Sequence, residues 1–129
     1  ASAMNPKAHS ILVVEDDSDV RDMLVRHLAH HGFQVTVAVD GMEGLQKVEA
    51  GGYDLVITDI VMPFVSGVGI VSTVKKNNPD MPVIAITGYG KAPETLAAES
   101  RADLVMGKPV RVAELVAHIR RLLEETHDG

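Results

Sequence analysis

The sequence predicts an α/β fold, a doubly wound sheet of five parallel strands with helices on both faces. Five short apolar runs alternate with segments of helical periodicity along the chain. The runs are too continuously apolar for strands with one wet face, which favours a parallel sheet that is buried on both sides. We expect the strands at residues 11–14, 35–39, 55–58, 83–86 and 104–106.

The first two predicted helices have recognisable start and stop residues. Ser18 is a candidate N-cap of the first helix, and Gly32 is a candidate C-terminal stop. Asp40 and Glu43 have the spacing of a capping box for the second helix, which Gly51 would end. The apolar stripes consist of Val20, Met23, Leu24 and Leu28 in the first helix, and of Met42, Leu45 and Val48 in the second.

The later helices have stripes of different strength. Valines at helical spacing indicate a third helix that ends before Pro79, and Pro93 would begin a short fourth helix at residues 93–100. The last helix has a strong amphipathic stripe, formed by Val112, Leu115, Val116, Ile119, Leu122 and Leu123. We therefore expect one domain at residues 10–125, with tails at 1–9 and 126–129. Residues 1–3 precede Met4 and are left out as a candidate expression remnant.

Composition and charge limit the classes of function. The 129 residues suffice for one buried core. The formal net charge of −6 disfavours binding to nucleic-acid phosphates or to anionic lipid. The chain has no cysteine, which excludes disulfides and thiolate chemistry. No apolar run has the length of a membrane span, and no signal peptide is recognisable. We expect a cytoplasmic protein without direct nucleic-acid or membrane binding.

Polar residues stand where the predicted strands end. Glu15 and Asp16 follow the first strand, Asp59 follows the third, Thr87 the fourth and Lys108 the fifth. In open α/β sheets, ligands bind in the crevice beyond the carboxyl ends of the strands. We therefore expect these side chains to converge on one rim although they are far apart in sequence.

This combination of charges needs a further cation or a proton. Two carboxylates about 5 Å apart repel by roughly 3 kcal/mol at an effective dielectric constant of about 20. Lys108 alone cannot offset the repulsion among Glu15, Asp16 and Asp59. An oxygen-only set of ligands with few carboxylates suits Mg²⁺. A carboxylate beside such an ion can attack phosphorus, and Lys108 and Thr87 could hold the phosphoryl oxygens.

Four fragments carry a family resemblance: ILVVEDD, ITDIVMP, AITG and GKP, in this order and spacing. With them the chain resembles the receiver domain of two-component response regulators, which is CheY-like, from Ser10 to Leu123. The resemblance implies the flavodoxin-like strand order 2-1-3-4-5. It also implies that Asp59 accepts a phosphoryl group from a phosphohistidine on a sensor histidine kinase or a histidine phosphotransfer protein. Turnover of an external substrate is not expected, so the chain would not be an enzyme in the usual sense.

The resemblance further implies roles for the individual site residues. Glu15, Asp16, Asp59 and the backbone carbonyl of Val61 would bind Mg²⁺. Thr87 would be the switch hydroxyl, and Lys108 would bind the phosphoryl group and precede a cis peptide bond to Pro109. Asp17 has no metal role in the pattern and would cap the first helix. The signal would pass through the face formed by the helix at 93–100, the fifth strand and the last helix, to an unknown protein target, and a homodimer through this face stays open.

The chain departs from the family pattern at one switch position. Val105 stands where family members usually have Tyr or Phe, and Phe64 and Tyr89 on nearby loops are candidates to replace that ring. A degenerate receiver that acts as a phosphorylation-independent protein-interaction module is therefore an alternative. A phosphatase is disfavoured because Val61 stands where such enzymes have an acid, and a flavodoxin because the EDDSDV segment would repel FMN phosphate. Whether the chain acts alone or within a larger regulator or hybrid kinase stays open.

Overall fold

The computed structural model describes residues 8–60, 67–88 and 101–127. Within them the strands are β1 (Ser10–Val14), β2 (Gln34–Ala38), β3 (Leu55–Asp59), β4 (Val83–Thr87) and β5 (Leu104–Gly107). The helices are α1 (Ser18–His30), α2 (Gly41–Ala50), α3 (Gly67–Asn77) and α4 (Val112–His127). Each predicted strand is therefore found within a residue of its expected bounds. The helix predicted at 93–100 lies outside the described residues.

The strands form one sheet in the order β2-β1-β3-β4-β5, and every neighbouring pair is parallel. This order and the helices on both faces confirm the doubly wound α/β fold. The order reverses between β1 and β3, so the crevice expected for ligands lies beyond the carboxyl ends of these two strands.

Side chains alternate along the strands and form a core on each face of the sheet. On one face, Ile11, Val13, Ile57 and Ile84 pack with apolar residues of α1 and α4. On the other face, the intervening residues Leu12, Val14, Val56 and Val83 pack with Ile70, Val71 and Val74 of α3 and with Leu45 and Val48 of α2. None of the helices among the described residues is long and apolar enough to span a membrane.

The starts of α1 and α2 combine confirmed and wrong expectations. Asp17 is the N-cap of α1, as the family pattern implied, and the candidate Ser18 is not: the Asp17 side chain accepts hydrogen bonds from the amides of Asp19 and Val20. Asp40 caps α2 by accepting from the amide of Glu43 at 2.9 Å, as expected. The Glu43 carboxylate instead forms an ion pair with Lys47 at 3.4 Å.

The packing of α2 on the sheet depends on a glycine. The buried residues of α2 are Gly41 and Gly44, and a Cβ atom at Gly44 would lie 2.9 Å from Cγ1 of Val14. The glycines lie on the face of α2 that packs against the sheet, whereas Met42 is 56% exposed. The expectation that Met42 belongs to the buried stripe is therefore wrong.

An ion pair ties the amino-terminal end of the sheet together, opposite the rim with the carboxylates. The Lys75 ammonium at the end of α3 is only 8% exposed and lies 2.7 Å from Oδ2 of Asp103. It also donates to the carbonyl oxygen of Met81 at 2.8 Å. The same Asp103 oxygen accepts from the amide of Val83, the first residue of β4, at 2.7 Å. This network joins α3, β4 and the segment that enters β5.

Candidate functional site

The strand register brings the predicted site residues to one rim. Val14 is paired with Thr58, Asp59 with Ile86, and Thr87 with Gly107. Glu15 therefore directly follows the paired end of β1, Asp59 and Thr87 are the last residues of β3 and β4, and Lys108 directly follows β5. The parallel sheet is the reason why residues almost a hundred positions apart become neighbours.

Three carboxylates form the centre of this site. One oxygen from each of Glu15, Asp16 and Asp59 lies within 4.8 Å of the others. Glu15 is 1% exposed and Asp59 is 4% exposed, whereas Asp16 is exposed. The cluster therefore has a buried floor and one side that is open to solvent, which is the arrangement that a partly hydrated Mg²⁺ ion requires.

Lys108 supplies the positive charge of the site. Its Nζ atom donates a hydrogen bond to Oδ2 of Asp59 at 3.1 Å and lies 3.4 Å from Oε1 of Glu15. The bond between Lys108 and Pro109 is cis, as the resemblance implied. Burial lowers the pKa of this ammonium, but the hydrogen bond and charge of Asp59, together with Glu15, outweigh that effect and raise the pKa above its ordinary value. Lys108 therefore stays positively charged.

Glu15 is the carboxylate whose ionisation the site disfavours. Burial raises its pKa to about 7, and the negative charge of Asp59 acts in the same direction. The amide of Asp17, which donates to Oε2 of Glu15 at 3.1 Å, and the charge of Lys108 oppose the shift. A bound dication would favour the ionised form, so metal binding would release a proton from this group near neutral pH.

Two buried oxygen atoms in the site have no hydrogen-bond partner among the described residues: Oγ1 of Thr87 and Oε1 of Glu15, although the latter forms an ion pair with Lys108 at 3.4 Å. Thr87 is 3% exposed. Buried polar atoms are nearly always satisfied, and exceptions often mark the place of an ion or ligand. The Glu15 oxygen fits a cation, and the Thr87 hydroxyl fits an acceptor such as a phosphoryl oxygen.

Three residues of the predicted site lie outside the described residues. They are Val61, whose carbonyl is expected to bind the metal, and Phe64 and Tyr89, the candidate replacement rings. Val105 is described: it is half-buried and packs against a small cluster of Ile60 and Ala85. Its apolar side chain therefore joins a cluster that includes Ile60, the residue that follows Asp59.

Sequence reasoning missed one residue beside the site. Nη1 of Arg21 in α1 donates a hydrogen bond to the backbone carbonyl oxygen of Glu15 at 3.1 Å. A helical side chain covers the turn that precedes its own Cα atom. An arginine four residues after the cap residue Asp17 was therefore placed to reach back to the β1–α1 connection, and this spacing was the available clue.

Comparisons with known proteins agree with this geometry. The family model of the response regulator receiver domain matches residues 11–120. The transcriptional regulatory protein PrrA of Mycobacterium tuberculosis is 39% identical over 114 residues, which cover 88% of this chain and 49% of PrrA. Response regulator MprA of Mycobacterium sp. is 34% identical over 117 residues, which cover 90% of this chain and 51% of MprA. The chain thus spans about half the length of the curated relatives it matches.

Solved structures give the same result. A CheY-like receiver domain protein from Methanospirillum hungatei has a TM-score of 0.87 and 29% identity, and the match covers 95% of this chain and 98% of that one. Response regulator TrrA of Thermotoga maritima, crystallised in complex with Mg(2+)-BeF, has a TM-score of 0.81 and 33% identity, with coverage of 88% and 98%. From the family match, the sheet order and the carboxylate cluster together, the chain belongs to the receiver domains of two-component response regulators.

Proposed function

We propose that Asp59 accepts a phosphoryl group from a phosphohistidine donor in a Mg²⁺-dependent reaction. The donor would be a sensor histidine kinase or a histidine phosphotransfer protein. One observation carries the proposal: Lys108 and the carboxylates of Glu15 and Asp16 surround Asp59, and the buried Thr87 hydroxyl on the same rim lacks a partner among the described residues. Turnover of an external substrate is not part of the proposal.

The carboxylate cluster fits the metal that this reaction needs. Glu15, Asp16 and Asp59 would hold Mg²⁺, and the carbonyl of Val61 is proposed as a further ligand from the family resemblance. The ligands are all oxygen atoms, and one of them, Oε1 of Glu15, is buried with an ion pair to Lys108 at 3.4 Å but without a hydrogen-bond partner among the described residues. When bound, the ion would neutralise negative charge on the carboxylates and on the incoming phosphoryl group.

The side chains of the site have distinct roles in the transfer. A carboxylate oxygen of Asp59 attacks phosphorus, a new O–P bond forms, and the P–N bond of the donor breaks with its electron pair left on the imidazole nitrogen. The Lys108 ammonium and the Thr87 hydroxyl donate hydrogen bonds to the phosphoryl oxygens. Because its pKa is raised, Lys108 keeps its charge throughout.

The output would follow from the charge that the phosphoryl group adds at this rim. Thr87 and Lys108 lie at the ends of β4 and β5, so their movement towards the phosphoryl oxygens would bias the surface around β5. We propose that this surface, with α4 and residues 93–100, is read by a protein partner or by a second copy of the chain.

Intact-mass measurement after incubation with Mg²⁺ and a small phosphodonor tests the proposal. Acetyl phosphate and phosphoramidate serve as O–P and N–P donors. We expect a gain of one phosphoryl group, and this gain should be lost with chelator and in Asp59→Asn. Asp80→Asn is the matched control because it changes an exposed acid on a turn outside the carboxylate cluster, and it should keep the gain. No gain in the wild-type chain under excess of either donor would contradict the proposal and favour the phosphorylation-independent interaction module.

A further inference from the structure

The segment that joins β1 to α1 is fixed by hydrogen bonds on both sides of the metal ligands. The amide of Glu15 donates to the carbonyl oxygen of Ala38 in β2 at 3.1 Å. Its carboxylate accepts from the amide of Asp17, and its carbonyl oxygen accepts from Nη1 of Arg21 at 3.1 Å. The backbone amide of Glu15 is therefore paired with β2, and its backbone carbonyl is paired with α1.

The partner of the carbonyl is itself held in place by the helix. Arg21 is half-buried, and its own amide donates to the carbonyl oxygen of Asp17 at 2.9 Å. Asp17 caps α1 through its side chain. The guanidinium thus connects the first turns of α1 to the end of β1, across the residues that carry two of the three clustered carboxylates.

We propose that Arg21 is a positioning residue for metal binding: by holding the Glu15 carbonyl, its guanidinium keeps the Glu15 and Asp16 carboxylates beside Asp59. The inference rests on the proposed Mg²⁺ site. Hydrogen-bonded neighbours of metal ligands typically contribute about 10- to 100-fold to metal affinity. Because Arg21 acts on the backbone of a ligand and not on its carboxylate, we expect about 3- to 10-fold.

An electrostatic role and a positioning role of Arg21 predict opposite changes in Mg²⁺ affinity when the residue is replaced. A guanidinium near the site repels a dication, so removing its charge would strengthen Mg²⁺ binding if Arg21 acted only through its electrostatic field. If it acts by holding the backbone, removing it weakens binding although the site becomes more negative. The sign of the change therefore distinguishes the two roles.

The test compares Arg21→Met with Arg26→Met, which removes the same charge from an exposed position on the same helix. Isothermal titration calorimetry with Mg²⁺ should show a dissociation constant about 3- to 10-fold higher for Arg21→Met and less than about twofold changed for Arg26→Met. In acetyl phosphate reactions, Arg21→Met should need more Mg²⁺ for half-maximal rate, with little change in the rate at saturating Mg²⁺. The ¹H–¹⁵N signal of the Asp17 amide should shift in the metal-free Arg21→Met protein.

Each outcome decides a different question. Mg²⁺ binding by Arg21→Met as tight as wild type, or tighter, overturns the positioning role. No Mg²⁺ binding by the wild-type chain overturns the proposed function instead. If urea denaturation shows that Arg21→Met does not fold, Arg21→Leu takes its place because its side chain also has no N–H donor, and wild-type affinity in that variant overturns the inference equally.

Discussion

Replacing Gly67 by alanine should disturb the backbone of the proposed acceptor residue. Gly67 begins α3, and its amide donates to the carbonyl oxygen of Ile60 at 3.0 Å. A Cβ atom at this position would lie 2.7 Å from Cα of Ile60 and 2.8 Å from the carbonyl carbon of Asp59, and closer still to the Asp59 carbonyl oxygen. The atoms in the way belong to the main chain, so no side-chain rotation can relieve the overlap.

The size of the effect follows from what must move. Overpacking a core costs typically about 1–3 kcal/mol, and a clash with main-chain atoms belongs at the upper end of that range. We therefore expect Gly67→Ala to lower the free energy of unfolding by about 3 kcal/mol, or the melting temperature by about 10 °C for a domain of this length. The end of β3 would also shift, so Mg²⁺ affinity and the phosphorylation rate should fall with stability.

Urea denaturation followed by far-ultraviolet circular dichroism measures this effect, because the chain contains no tryptophan for fluorescence. Gly107→Ala is the matched control: Gly107 ends β5 on the same rim, and the nearest atom to an added Cβ is the carbonyl oxygen of Thr87 at 4.0 Å. We expect a change of about 0.5 kcal/mol or less for the control. Equal stability of the two variants would refute the argument from close backbone approach.

Three further predictions concern stability. Because the folded-state pKa of Glu15 is raised from 4.5 to about 7, protonated Glu15 stabilises the metal-free protein fully below pH 4.5, and this stabilisation is lost as pH rises from 4.5 to about 7; Glu15→Gln should flatten this dependence in urea titrations with chelator. Asp103→Ala leaves the buried Lys75 ammonium without its carboxylate and should cost about 3 kcal/mol in the same assay. Asp17→Ala removes the cap of α1 and should cost about 1 kcal/mol.

Distinct results would contradict each of these three. A wild-type stability that is constant between pH 4.5 and 8 without metal would show that Glu15 ionises freely in the fold. An Asp103→Ala effect no larger than that of the exposed control Asp80→Ala would show that Lys75 keeps enough partners in main-chain carbonyls. An Asp17→Ala protein as stable as wild type would mean that another group satisfies the first amides of α1.

The fold and the rim of site residues could be predicted because the strands depend on local sequence and the rim depends on the topology of a parallel sheet. Apolar runs mark strands such as β3 directly, and a parallel sheet must bring the ends of its strands to one edge. Asp59, Thr87 and Lys108 therefore could be assigned to one site without any knowledge of distances. The resemblance supplied the strand order, which periodicity alone does not contain.

The errors have a common physical origin in close tertiary approach. Met42 has the right spacing for a buried stripe, but the contact of Gly44 with Val14 places glycine on that face instead. For the cap of α1, the expectation of Ser18 from helical spacing is wrong and the expectation of Asp17 is confirmed; the Asp17 amide also donates to the Glu15 carboxylate. Such choices depend on neighbours that a one-dimensional pattern does not show.

The assembly of the rim from the ends of four strands has a consequence for how a cell could use it. A fragment around Asp59 alone would contain the acceptor carboxylate but neither Glu15 nor Lys108, which lie on strand ends that only the finished sheet brings near. Under the proposed function, misfolded or truncated copies therefore could not be phosphorylated at Asp59. Only intact, folded molecules would signal, and no separate quality-control protein would be needed for this selection.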